Sequence, residues 1–388
     1  VTGRTIAARR PSLFRRVVAE DSTVRRLDGL MLVAVAGLCV IGTLLVWSST
    51  RTWAPGATGL VKKHLLNEVI GVVLCAIVTM IDHRAMRAYA PLVFLLSLVG
   101  LGLVITPLGA TINGSHSWIL LGGGFAVQPS EFAKVGLLLI MAMLLAQPAE
   151  GTDRPRGLDI VLAIIASAIT MGLVMLQPDL GTAMVLAVIM AAGLVIAGVR
   201  KRLIAALAVV AGLGVFAVFY FEMLEPYQVA RFTAFVDPSV DPRGVGYNST
   251  QSMIAIGSGQ LLGKGLLGGG QTTGRFVPEQ HTDFIFTVAG EEFGFLGSVT
   301  VVLLLGVVLL RGLKIAKRCE DRFGTLVAGM IVCWFAFQAF INVGMTIGIM
   351  PITGLPLPFV SYGGTATFAN LIGIGLLQAI RMRGQSFN

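Results

Sequence analysis

A chain of 388 residues that is 55% hydrophobic and only 13% charged carries about half the charge that covers a water-soluble surface, roughly a quarter of all residues. A soluble globular enzyme is excluded, and lipid must supply much of the solvent. The net charge of +9 would suggest nucleic acid in a soluble protein, but the cations follow membrane topology, so membrane lipid is the expected partner and nucleic acid is not.

In chain order, residues 1–28 come first. Arg4, Arg9, Arg10, Arg15, Arg16, Arg25 and Arg26 precede the first apolar run as in the n-region of a signal peptide, but that run is too long and no A-x-A site follows. The segment reads as a flexible, basic cytoplasmic tail ahead of an uncleaved signal anchor. Apolar windows then predict helices over 29–48, 65–81, 89–108, 130–146, 158–176, 180–197, 203–224, 284–310, 323–349 and 362–380, many of them near the roughly 20 residues that cross the hydrocarbon core. The expected fold is all-α, a polytopic membrane protein of about ten transmembrane helices over 29–380. A large extracytoplasmic loop, 225–283, joins helices 7 and 8, and 381–388 is a cytoplasmic tail. The cysteines Cys39, Cys75, Cys319 and Cys333 lack CxxC or metal-ligand spacing and read as reduced thiols.

An even number of spans puts both termini on one side. If that side is cytoplasmic, twenty-one of the 29 Lys and Arg fall inside, seven fall outside (Arg51, Lys62, Lys63, Arg231, Arg243, Lys264, Arg275), and Lys134 lies within a helix. That asymmetry is the positive-inside pattern of an inner-membrane protein.

Two external segments, 109–129 and 225–283, are long and rich in glycine, where most helix connections are short; function is expected there. Within the second, Thr250 to Ile256 is an amphipathic piece suited to the membrane surface. Ionisable groups at the membrane edge are costly and normally face an interior or a cavity. Glu131 and Lys134 share a helix face three residues apart and can pair, so a helix-locking ion pair stands beside a functional reading. Asp179, in Gln177-Pro178-Asp179-Leu180-Gly181-Thr182, can cap the next helix. The densest polar stretch, Phe276 to Phe286, leads into helix 8 and offers Thr282 or Asp283 as its N-cap. Asp283 is pinned where water meets lipid, and partial desolvation there raises a carboxylate toward the range of a useful base. Glu291 and Glu292, about two turns deeper, need partners inside the bundle. Lys63, Lys134, Arg231 and Lys264 are the candidate holders of an anionic diphosphate, with snorkelling anchors as the plain alternative.

Some motifs mislead. Gly263-Lys264-Gly265-Leu266-Leu267-Gly268 fits G-x-G-x-x-G, but no strand precedes it, and no nucleoside triphosphate site is visible.

The motifs together resemble a known family. Gly263-Lys264-Gly265 through Gln271, Phe276 to Phe286 and Glu291-Glu292-Phe293-Gly294 look like the signature of the SEDS peptidoglycan glycosyltransferases. Gln128-Pro129-Ser130-Glu131 with Lys134, Gln177 to Thr182, Arg231 with Phe235, Asp237 and Pro238, and Pro356 to Gly364 extend the likeness over nearly the whole chain. Asn342-Val343-Gly344-Met345-Thr346 and Met350 to Gly354 look closer to the RodA branch, with FtsW a near relative. One departure is His116, where relatives often carry Arg or Lys.

The resemblance implies polymerisation of lipid II with release of undecaprenyl diphosphate. Asp283 matches the family's essential aspartate, taken here as the general base, and Glu131, Lys134 and Asp179 match cavity residues that orient the substrate. Lys63 and Arg231 would hold diphosphate, while Lys264, Gln271, Glu279 and His281 would shape the external loop around the sugar, with Ser361 in the matching Pro356–Gly364 motif. No metal ligands are assigned and no cofactor is certain. Mg²⁺ or another divalent cation, if needed, would enter with the diphosphate. The implied protein partner is a class B penicillin-binding protein, a single-span transpeptidase. The rival expectation is a lipid II flippase or transporter, but such sites tend to lie at the midplane between inverted repeats, and no repeat is visible here.

Overall fold

A computed structural model describes residues 26–51, 58–112, 115–122, 125–221, 226–237 and 244–383. Residues 1–25, most of the basic tail, and Arg243 lie outside the described residues, as does 384–388 of the C-terminal tail. Helices dominate. The first three are α1 (Gly29–Thr50), α2 (Thr58–Met80) and α3 (His83–Ile105). Asp28 caps α1 by accepting from the Met31 amide at 3.1 Å, and Asp82 caps α3 through Arg84.

The 109–127 stretch is not a bare loop, so the all-α expectation needs one correction. It forms a small antiparallel sheet of β1 (Gly109–Ile112), β2 (Ser115–Gly122) and β3 (Phe125–Val127), in that order, with two register irregularities. Strand formers at Ile112 and Ser117–Leu121, bracketed by glycines, give the chain two reversals in too few residues for a helix.

Next come α4 (Pro129–Leu145), α5 (Gly157–Met175), α6 (Leu180–Ile196) and α7 (Lys201–Tyr220). Pro129 opens α4, where a missing amide proton costs nothing, and Asp179 caps α6 through the Thr182 amide at 2.9 Å. The long segment between α7 and the next long helix holds α8 (Pro226–Val236), α9 (Val245–Ser258) and the single turn α10 (Gly270–Gly274). α9 packs against the following long helix, α11 (Ile285–Arg318), after which come α12 (Arg322–Thr346) and α13 (Gly364–Arg383).

Among the described residues seven helices are long and apolar enough to cross a membrane: α1, α2, α3, α5, α7, α11 and α12. The other segments read as spans are helices too. However, α4 and α6 have only 17 residues, and α13 carries Asn370, Gln378, Arg381 and Arg383. The core lies where α12 meets α4 and α6, around the fully buried Trp334, Phe335, Leu137, Leu138 and Met141. No residue of α7 over Lys201–Val218 is buried, so this helix turns nearly its whole surface to lipid.

The main-chain feature that organises the start of α11 and the segment before it is a break in that helix. Gly294 has φ +64° and ψ −160°, and the segment 260–265 enters the gap. Phe295 and Leu296 amides donate to the Gln260 and Leu261 carbonyls at 2.8 and 3.2 Å, while Lys264 and Gly265 amides donate to the Glu291 and Glu292 carbonyls at 3.0 and 2.9 Å. The false dinucleotide motif is thus a splice between loop and helix. Gly263 has φ +79°, and a Cβ there would fall 2.1 Å from the Glu292 carbonyl oxygen. Gly263→Ala is expected to cost at least about 2 kcal/mol, read as a lower melting temperature in detergent.

Candidate active site

The polar stretch before α11 forms a tight turn. Thr282 and Phe284 amides both donate to the Glu279 carbonyl, at 3.2 and 3.3 Å, and Glu279 adopts φ +52°. Neither Thr282 nor Asp283 caps α11, contrary to the sequence expectation. Phe284 occupies the N-cap position with no side-chain cap, because the turn already uses Thr282, whose hydroxyl donates to the Glu279 carbonyl at 3.1 Å. The Asp283 carboxylate is left facing a cavity of about 600 Å³.

Seven of the residues singled out from sequence line that cavity: Lys63, Glu131, Asp179, Arg231, Glu279, His281 and Asp283. They come from α2, α4, the turn before α6, α8 and the turn before α11. Asp283 and Arg231 converge over Gly354, where a Cβ would lie 3.5 Å from Asp283 Oδ2 and 3.8 Å from Arg231 Nη1. Gly354 has φ +76°, so the backbone calls for glycine there, while the space would admit a Cβ at ordinary contact distance.

Burial in the cavity wall pushes the Asp283 carboxyl up to about 7; Glu279 and, more weakly, Asp179 repel its charge further, and Arg231 pulls the other way. Burial lowers the His281 imidazole, with Glu279 opposing. Asp179 is heavily used, since it accepts from the Thr182 amide and hydroxyl at 2.9 and 2.7 Å and from Gln128 Nε2 at 3.0 Å. It is a cap and a cavity wall at once.

The other four predicted residues do not line the cavity. Lys134 is sealed behind Glu131, with Nζ 2.7 Å from the carboxylate and 4.9 Å from the centre of the Trp334 ring. Lys264 pairs with the buried Glu291 at 2.8 Å, and the Gln271 amide donates to the same carboxylate at 2.9 Å. Glu291 also accepts from the Thr272 amide and hydroxyl, and Glu292 accepts from Ser48. Ser361 Oγ accepts from the Leu357 amide at 2.8 Å and closes a turn. Half-buried His116 bonds Thr111 through Nδ1 at 2.9 Å.

Sequence reasoning passed over residues that hold the site together. Asn342 Nδ2 donates to the Asp283 carbonyl at 2.8 Å and to the Leu355 carbonyl at 2.7 Å, clamping the turn to the 353–357 strand of chain. Below it, Gln338 donates to Pro356 and accepts from Trp334. The spacing 334, 338, 342 on one face of α12 was the available signal. Among the described residues no group of three or more His, Cys, Asp or Glu is placed to hold a metal ion.

Beside the cavity runs an apolar groove of about 620 Å³ between α2, α3, α4 and α13, lined by Tyr89, Val93, Leu96, Phe132 and Ile372 among others. Val127 belongs to both walls, so groove and cavity adjoin.

A multi-pass helical membrane protein with a carboxylate-rich cavity at a helix end is the class so defined. The chain belongs to the FtsW, RodA and SpoVE family, described as cell cycle proteins, which matches residues 29–386. It is 35% identical over 358 residues to stage V sporulation protein E of Bacillus subtilis, covering 90% of this chain and 95% of that one. It is 34% identical over 355 residues to the peptidoglycan glycosyltransferase MrdB of Escherichia coli, covering 91% and 93%. Among solved structures it resembles a chain of a peptidoglycan synthase complex that coordinates polymerization and crosslinking, with TM-score 0.75, 29% identity and coverage of 92% and 97%. It also resembles the rod shape determining protein RodA of Thermus thermophilus, with TM-score 0.67, 27% identity and coverage of 93% and 98%.

Proposed function

We infer that this chain is a peptidoglycan glycosyltransferase that polymerises lipid II into glycan strands. The observation that carries the reading is a carboxylate raised to about 7, in a cavity that several charged side chains line and that adjoins an apolar groove. A lipid-linked sugar has the two matching halves, with the diphosphate and sugar in the cavity and the polyprenyl tail in the groove. The named activity of the Escherichia coli relative supports it.

In this reading Asp283 takes the proton from the 4-hydroxyl of the acceptor sugar while that oxygen bonds to the donor's anomeric carbon. The bond from that carbon to the diphosphate breaks, its electron pair leaves with undecaprenyl diphosphate, and the configuration inverts. Arg231 and Lys63 balance charge on the diphosphate. Any divalent ion arrives bound to the diphosphate. Ten spans, with cytoplasmic termini in the bacterial inner membrane and the cavity facing outward, agree with the distribution of Lys and Arg. The likeness to a synthase complex that joins polymerization to crosslinking supports a class B penicillin-binding protein as partner.

Purified protein with its transpeptidase partner, given fluorescent lipid II, should yield glycan polymer on a gel. Lipid movement between leaflets without polymer would favour a flippase instead.

A further inference from the structure

Two ionisable residues inside the α2 span play no part in the reaction as derived, although such groups are costly in a membrane and call for a task. His64 is 1% exposed and does not line the cavity. Its Nε2 lies 3.3 Å from Glu68 Oε1 without a hydrogen bond between them, and Glu68 Oε2 accepts from the Thr43 hydroxyl at 3.0 Å. On its other side, the centre of its ring is 5.8 Å from that of Tyr362, and Tyr362 is 5.5 Å from His281. The Tyr362 amide donates to the His281 carbonyl at 2.9 Å. Three rings therefore form a column from the α2 interior to the turn that bears Asp283, two residues beyond His281. Asn67, one turn along α2, presses on Gly364, where a Cβ would meet its Nδ2 at 3.2 Å, so the same helix face supports the whole 362–364 segment.

We propose that His64 is a positioning residue for glycosyl transfer, fixing the His281–Asp283 turn through Tyr362. The inference rests on the polymerase reading above. It predicts a loss that packing alone would not produce. Asp283 is faced by Glu279 from its own turn, by Arg231 from α8 and by Asp179 from the turn ahead of α6, and it shares the cavity with His281, Lys63 and Glu131. A small shift of the turn changes those distances, and with them the pH at which the carboxylate becomes a base.

The test uses the full chain with its transpeptidase partner and fluorescent lipid II, across a pH series, with melting temperature measured alongside. His64→Leu should lower kcat about ten- to a hundredfold, the scale of a small misplacement of a reacting group. KM should stay within about twofold, and the acidic limb of the rate profile should move away from its wild-type position. His64→Phe, which keeps a flat ring against Tyr362, should stay within about threefold of wild type. The proposal is overturned if His64→Leu polymerises at the wild-type rate, if Leu and Phe lose activity equally, or if the rate falls only with the folded fraction while the limb stays put. A wild-type chain that makes no polymer removes the reading beneath it, and that result is visible before any variant is made.

Discussion

Asp283→Ala should reduce lipid II polymerisation by about a hundred- to ten-thousandfold, the usual contribution of a positioned general base, without a matching fall in melting temperature. The turn that carries it is held by backbone bonds to Glu279 and by Asn342, none of which uses the carboxylate. The pH profile supplies a second readout. With the carboxyl at about 7, the basic form is about half populated at neutral pH, so the rate should rise through pH 7 and level off above it. Removing Glu279's charge by Glu279→Gln should move that limb to lower pH, because a repelling neighbour is lost. A limb that stays in place, or an alanine variant that polymerises normally, would end the general-base assignment.

Lys134→Ala should destabilise the bundle by about 3–5 kcal/mol, because it leaves the Glu131 carboxylate buried without its cation. Lys134 is wholly enclosed, 2.7 Å from Glu131 and above the Trp334 ring, in the densest part of the core. Glu131→Leu combined with Lys134→Met should recover much of the stability, as apolar replacements of buried pairs often do. Activity separates the two roles, since Glu131 also borders the cavity. A stable double variant that still polymerises would reduce the pair to a helix lock, and a stable but inactive one would give Glu131 a part in holding substrate.

How much of this was legible beforehand depended on whether the signal was local. Long apolar windows located the helices, since crossing lipid demands them, and the Glu131–Lys134 pair followed from helical spacing. Asp283 stood out as an acid at the edge of an apolar run. The sheet at 109–127 was hidden because its strands are short and apolar residues follow one another in Ile119-Leu120-Leu121 without strict alternation. Lys264 and Gln271 precede Asp283 closely in sequence, yet the splice at Gly294 draws them to Glu291, away from the cavity. His64 and Glu68 were invisible for the opposite reason. Averaging over the 65–81 window absorbs Glu68, His64 falls just ahead of it, and their meaning depends on Tyr362, nearly three hundred positions away.

The interruption of α11 divides that rod into unequal parts. Peptide groups of 260–265 stitch both sides of the break, the outer piece through the Glu291 and Glu292 carbonyls and the inner piece through the Phe295 and Leu296 amides. A displacement of 260–265 therefore reaches both sides of the break together, so this loop and the two parts of α11 should shift as one body.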